Sequence, residues 1–350
     1  MLPPVTMRRL NKFFLYFIRG AENFLCRFNL QSLCGGKRIK RFVIGSNDQG
    51  QRVDKFIGKM ARKMPRSYLY KAIRKKDVKL NRKRCTPQTI LAEGDVLEVY
   101  ADDSFFFEDE AFPWSLSKVM VQPVYEDENL LIVSKPSGLL SHAPYGSGED
   151  NMADGVKKYL YVQGEYDPGK ENTFAPALCN RLDRNTGGLL ICAKNAATLR
   201  DVNEMIRLRQ VKKYYLALVE GVLTAPGVIH ADLSKDRNTN TVHVSDHMDA
   251  KEAETRYRSL ATGNGITLLE VELITGRTHQ IRAHLAHIGH PIVGDVKYGA
   301  KRSPFIDSTK GQALHSYKIC FEGLPDRWAY LEGYIAEDPY LPPWAVRYWR

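Results

Sequence analysis

The sequence predicts an α+β protein in two parts: a small basic α/β module, then a larger domain on a mixed, mostly antiparallel sheet. Three observations carry this expectation. Residues 1 to 50 hold 9 Lys/Arg against 2 Asp/Glu and residues 51 to 100 hold 14 against 5, so a net charge of +11 leaves the rest of the chain mildly acidic. Residues 51 to 100 show two helical patterns broken at Pro65 and followed by strand patterns. From Val121 onward, short β-branched and aromatic runs are parted by Gly, Pro and Asn, as an antiparallel sheet requires. At 350 residues and 43% hydrophobic composition, the chain can form two domains and bury a sizeable core.

Taken in order, residues 1 to 40 form a basic extension in which Arg8, Arg9, Lys12, Arg19 and Arg27 alternate with phenylalanines. That pattern suits an organelle transit peptide or an unfolded extension, and we expect the extension, which leaves the protein cytoplasmic. The first module, residues 41 to 101, should hold a helix around Val53 to Met64, a second around Ser67 to Lys75, and strands at Val78 to Leu80 and Asp95 to Tyr100. Its segments Gln51 to Ile57, Ser67, Ile73 to Asn81 and Glu93-Gly94-Asp95 resemble the S4 RNA-binding domain. The resemblance implies that Lys55, Arg66, Arg74, Lys75, Lys79 and Arg82 face phosphates, a salt-dependent and largely sequence-blind grip. The plainer alternative is an ordinary basic helical hairpin.

Residues 102 to 118 flip the charge sign and read as a linker with an aromatic clip, Phe105-Phe106-Phe107. Residues 119 to 350 form the larger domain, with strands expected at Leu130 to Val133, Leu189 to Ala193, Tyr214 to Val219, Val228 to Leu233, Glu254 to Leu260, Thr267 to Leu273 and Ser316 to Phe321. Helical spacing marks Asn195 to Arg209, and also His279 to Ile288 before Gly289 and Pro291. Six cysteines without C-x-x-C spacing suit free thiols in a reducing compartment. The most apolar stretch, Phe13 to Leu30, is interrupted by Arg19, Glu22 and Arg27, which argues against a membrane span.

The chemistry centres on Asn180-Arg181-Leu182-Asp183-Arg184-Asn185-Thr186-Gly187-Gly188, where one carboxylate stands between two guanidinium groups. Arg181 and Arg184 should favour its ionised form, and an ionised carboxylate can serve as nucleophile or general base. An ion pair that only shapes a loop is the plainer reading. The run resembles the signature loop of the RluA family of RNA pseudouridine synthases. Three further segments match that family in order: Val124 to Leu139, Lys213 to Val219, and Thr275 to Leu285 with its His279-Gln280-Ile281-Arg282 core. Many members carry His where this chain has Asn180, a difference that bears on how the loop is held.

The resemblance implies a catalytic domain of the pseudouridine synthase type that converts uridine to pseudouridine in structured RNA, with large-subunit ribosomal RNA as the expected target. It assigns the catalytic carboxylate to Asp183, the stacking ring to Tyr215 and the arginine paired with the carboxylate to Arg282. Arg181 would fill the gap left by the extruded base or hold a phosphate, and Arg184 would join it on the RNA. Such an isomerisation needs no cofactor, and a monomer is the default. Two other classes remain as alternatives: a non-catalytic RNA-binding assembly factor on the same fold, and a zinc hydrolase using His279, His284, His287 and His290. The histidine spacing lacks His-Glu-x-x-His, so no metal is expected.

Overall fold

The computed structural model describes residues 38–106, 112–144, 146–236, 241–245, 250–301 and 311–349. The expected basic extension lies, up to residue 37, outside the described residues, as do Phe107, Cys26 and Cys34. The described chain separates into two compact units, one comprising the residues up to Phe106 with Asp167–Phe174, the other the remainder.

The first unit runs β1 (Arg38–Val43), α1 (Val53–Met60), α2 (Arg66–Arg74), β2 (Val78–Leu80), β3 (Lys83–Arg84) and β4 (Val96–Ala101). Its antiparallel sheet has the order β1-β4-β2-β3. Val53, Phe56 and Ile57 recur at helical spacing and meet Leu69, Ala72 and Ile73 in one core. The first helix ends at Met60, short of the expected Met64, because buried Ala61 leaves helical geometry at φ −114° and ψ 64°. Pro65, extended at φ −61° and ψ 138°, starts the second helix. Phe106, read as part of a linker, is buried beside Phe42, and Phe105 packs 4.8 Å from Tyr68. The segment Asp167–Phe174 had no signal in the sequence; buried Asp48 accepts hydrogen bonds from Asn172 (2.7 Å) and Thr173 (2.6 Å).

The second unit begins with β5 (Gln122–Glu126) and β6 (Leu130–Lys135), then α3 (Met152–Gln163), β7 (Ala177–Leu178), β8 (Gly187–Ala193) and α4 (Ala196–Arg207). It continues through β9 (Val211–Glu220), β10 (Gly227–His230), β11 (Leu233–Asp236), β12 (Thr241–Val244), β13 (Glu254–Gly263) and β14 (Ile266–Leu273), and closes with α5 (Gln280–His287), β15 (Leu314–Phe321), β16 (Ile335–Glu337) and α6 (Pro343–Trp349). The main sheet has the order β10-β13-β14-β9-β15-β8-β6-β5, with β16 beside β15 and β7 beside β8. Among its described pairings only β8 with β15 is parallel, so the expected mixed, mostly antiparallel sheet is the one that forms.

Both faces of this sheet are covered. Leu131, Val133, Leu190 and Cys192 pack with Met152, Val156 and Leu160 of α3. On the other face, Leu130, Ile132, Leu189 and Ile191 pack with Val202 and Met205 of α4 and with Trp328. This explains why β6 and β8 are continuous apolar runs, since strands buried on both faces have no polar side to alternate with. The helix α3 was not expected, although its ends are marked: the Asn151 side chain accepts from Asp154 N at 3.1 Å, and Gly164 ends it at φ +80°. The strand expected over Val228 to Leu233 divides at Ala231-Asp232. Its second half leaves the main sheet to form a separate hairpin, β11 with β12.

Candidate active site

Asp183 lies in the loop between β7 and β8, which is fixed almost entirely through its backbone. The Asn180 side chain accepts from Ile191 N at 2.8 Å and donates to Leu189 O at 3.4 Å, so an amide holds the start of the loop. Leu182 is buried; its N–H donates to Ser141 Oγ at 3.0 Å, and that hydroxyl donates back to Leu182 O at 2.8 Å. Ser137 Oγ donates to Asn185 O at 2.7 Å, and Gly138 N, at φ +90°, donates to Arg184 O at 2.9 Å. One strap, Lys135 to Ser141, thus grips Leu182, Arg184 and Asn185 on either side of Asp183, leaving the carboxylate to meet other partners.

The loop leaves through Gly187 and Gly188 into β8. A Cβ on Gly188, at φ +111°, would lie 2.1 Å from Ser316 O, and one on Gly187 would lie 2.9 Å from His315 Nδ1. Only glycines allow β15 to run this close at the parallel register His315 to Gly187. His315 Nε2 is 2.8 Å from buried Asp338 Oδ2, which also accepts from Ser134 Oγ at 2.9 Å. A hydrogen-bonded frame therefore backs the loop exit.

The partner of the carboxylate comes from 99 residues along the chain. Arg282 Nη1 donates to Asp183 Oδ2 at 3.0 Å, while Arg282 Nε and Nη2 donate to Asp295 Oδ2 at 2.7 Å and Oδ1 at 2.8 Å. The side chains of Arg282 and Asp295 are 8% and 2% exposed, against 21% for Asp183. The planar fork is fixed by the bidentate pair and extends one N–H to the accessible carboxylate. Burial works against the Arg282 charge, yet the hydrogen bonds and charges of Asp295 and Asp183 hold its pKa above the ordinary value. Arg282 therefore faces inward from α5. Tyr298 stands 4.9 Å from the guanidinium, and His279 Nε2 is 3.7 Å from Asp183 Oδ2.

Arg181 and Arg184 do not supply the pairing expected from their position beside Asp183. Both are exposed, and Arg184 Nη2 donates to Glu149 Oε2 at 3.0 Å. Successive residues in this loop point in different directions, so adjacency in sequence does not become contact. Tyr215 lies on β9, opposite Val271 and Ser316, and is only 4% exposed. Burial raises its phenol pKa well above the usual range, and the charge of Asp183 adds to that. Of the three expected catalytic residues, Arg282 and Asp183 are in direct contact, and Tyr215 is linked to Asp183 through the effect of its charge. In the first unit, Lys55, Arg66, Arg74, Lys75 and Arg82 are exposed and Lys79 is half-buried, its Nζ 5.1 Å from the Tyr100 ring centre.

Three residues at the site carry no expectation from the sequence, Lys135, Asp295 and Tyr298, and His279 is expected only within its matching segment and in the zinc alternative. Lys135 is fully buried and donates to Pro136 O (3.0 Å), Leu139 O (2.7 Å) and Arg184 O (3.0 Å). Burial pulls its pKa down to about 7, opposed by the charge of Asp183. Three carbonyl acceptors call for three N–H hydrogens, which only the ammonium form has, so the geometry is that of charged lysine. Its signal was a lone charge closing an apolar strand before Pro136. Asp295 and Tyr298, in a loop after α5, gave none.

The histidines have separate partners. His284 bonds Thr255 Oγ1 and Ala231 O, both at 2.9 Å, and His290 Nδ1 bonds Glu220 O at 2.8 Å. His279 Nδ1 meets Tyr298 Oη at 2.9 Å, and His287 is exposed. Among the described residues no group of three His, Cys, Asp or Glu is placed to hold a metal ion, and no helix is long and apolar enough to cross a membrane.

Comparison with known proteins identifies the family. The sequence profile described as RNA pseudouridylate synthase matches residues 129–287. Ribosomal large subunit pseudouridine synthase C of Vibrio cholerae is 38% identical over 271 residues, covering 76% of this chain and 82% of that protein. The protein of the same name from Yersinia pestis is 34% identical over 284 residues, covering 79% and 84%. Among solved structures, human RNA Pseudouridylate Synthase Domain Containing 4 aligns with a TM-score of 0.50 at 25% identity, over 64% of this chain and 90% of that one. The chain belongs to the RluA family of RNA pseudouridine synthases, isomerases that act on RNA.

Proposed function

We propose that this protein converts uridine to pseudouridine in large-subunit ribosomal RNA, acting in the cytoplasm, with Asp183 as the catalytic carboxylate. The observation that carries the reading is the Arg282 fork, which holds Asp183 Oδ2 at 3.0 Å while anchored on buried Asp295. A carboxylate so paired is fixed in position, with its side chain partly exposed at 21%, where a sugar carbon or a sugar proton can reach it. The reaction breaks the bond from uracil N1 to ribose C1′, turns the base, and rejoins it through carbon. Asp183 serves by attacking C1′ or by taking a sugar proton. Tyr215 forms the floor that receives the base once it leaves its stack, a contact worth roughly 1–3 kcal/mol.

Ribosomal RNA is the favoured substrate because the Vibrio cholerae and Yersinia pestis relatives are named for the ribosomal large subunit. The first unit acts as an S4-like grip, with Lys55, Arg66, Arg74, Lys75, Lys79 and Arg82 on phosphates, and Arg181 and Arg184 contact RNA at the catalytic loop. Release of tritium from RNA containing 5-tritiated uridine tests the chemistry directly. Asp183→Asn should release none while still binding the RNA; turnover by that variant would refute the assignment.

A further inference from the structure

The geometry points to His279 as a positioning residue whose Nε2–H steadies Asp183 Oδ2 alongside Arg282 and leaves Oδ1 to the substrate. This rests on Asp183 being the reacting carboxylate. The argument begins one contact away. Val242 N donates to Tyr298 Oη at 3.0 Å, so that oxygen already accepts a hydrogen bond. Its own hydrogen needs an acceptor, and His279 Nδ1 is 2.9 Å away. Donation from Tyr298 to Nδ1 satisfies both groups and puts the imidazole hydrogen on Nε2. That nitrogen is the one 3.7 Å from Asp183 Oδ2, longer than a hydrogen bond, so its N–H acts on the carboxylate as an aimed dipole.

Burial keeps His279 on the neutral side of its ordinary range, against the pull of Asp183's charge. A neutral donor fits beside Arg282, where a second full cation would be repelled. Among the described residues, the contacts that Arg282 and His279 make with the Asp183 side chain both fall on Oδ2. The backbone of His279 is itself unusual. It occupies the left-handed region at φ 52° and ψ 19°, immediately before α5, and no side-chain cap accompanies it. A non-glycine residue held there is maintained by surrounding contacts, and such residues cluster at functional sites. The turn aims the imidazole and the Arg282 guanidinium at one oxygen from adjacent points on the chain. Tyr298 supports both, by its hydroxyl on His279 and its ring on Arg282.

The test uses the full-length protein, with His279→Asn as the principal variant, since Asn tolerates the left-handed backbone but is too short to replace the Nε2 donor. Single-turnover conversion should slow about 10- to 100-fold, the effect of a misplaced reacting group. RNA affinity should be unchanged. Tyr298→Phe, which keeps the ring on Arg282, should slow the reaction in the same direction. The double variant should be no slower than His279→Asn alone, because Tyr298 Oη acts through His279. Nitrogen-15 spectra of histidine-labelled protein should show one neutral imidazole protonated at Nε2 that disappears in His279→Asn. A wild-type rate in His279→Asn, multiplying effects in the double variant, or a hydrogen on Nδ1 would overturn the proposal. In each case an inactive Asp183→Asn leaves the function itself standing, whereas an active Asp183→Asn removes the function and this inference together.

Discussion

Arg282 Nη1 lies 3.0 Å from Asp183 Oδ2, a contact made by the one arm of the guanidinium that Asp295 leaves open. The carboxylate is thus held by a side chain that cannot turn away without breaking a buried bidentate pair. Asp295→Ala should therefore damage the site without touching it. Removing one partner of a buried pair costs about 3–5 kcal/mol, so urea unfolding should show a loss of that order. Turnover should fall as the fork loosens. Unchanged stability and activity would mean that Asp183 alone fixes Arg282.

Lys135 places its charge beneath the loop without reaching the substrate side. Lys135→Met should leave the carbonyls of Pro136, Leu139 and Arg184 without this donor, at about 1–3 kcal/mol for each buried group left unsatisfied. Lys135→Arg should not restore the wild type, because a planar fork does not converge on three carbonyls as an ammonium does. Thermal unfolding and single-turnover rates of both variants check this.

Gly188 and Gly263 make a matched pair. A Cβ at Gly188 would sit 2.1 Å from Ser316 O on a backbone at φ +111°, whereas one at Gly263 meets nothing within 4 Å. Gly188→Ala should cost roughly 1–3 kcal/mol or more, since backbone has to move. Gly263→Ala should be close to neutral. Equal melting temperatures for the two variants would contradict the close approach of β8 and β15.

Acid should weaken the fold through its buried histidines. Burial lowers the pKa of His279 and His284 from the ordinary 6.5. Their stabilising contribution is fully present above pH 6.5, where neither state is protonated. As the pH falls below 6.5 the unfolded chain takes up protons that the folded chain refuses, and stability declines until the folded pKa is passed. The slope is about 1.4 kcal/mol per pH unit for each unmatched proton. Urea midpoints between pH 7 and 5 should fall, and His284→Gln should flatten the decline; a flat profile in the wild type would contradict the shifts.

Much of the fold could be read from local patterns. The β6 and β8 runs and the α4 and α5 spacings each carry their own signal, and so does Gly263-Asn264-Gly265, where Asn264 and Gly265 have positive φ. What escaped was set by tertiary contact. Adjacency alone points to Arg181 and Arg184 as partners of Asp183, because sequence shows neighbours, not directions. Arg282 came forward only through the family resemblance. Asp295 and Tyr298 lie in a loop whose composition has no periodicity, so nothing local separates them from surface polar residues. The strand expected over Val228 to Leu233 looked continuous because its break depends on where β11 finds β12.

The central claim is tested most directly by carbodiimide-dependent reverse-transcription mapping of pseudouridine on ribosomal RNA from cells carrying wild-type protein or Asp183→Ala. Discrete stops in large-subunit RNA that vanish with Asp183→Ala, while the variant protein still binds RNA, are the predicted result. An identical map from both cells would contradict it.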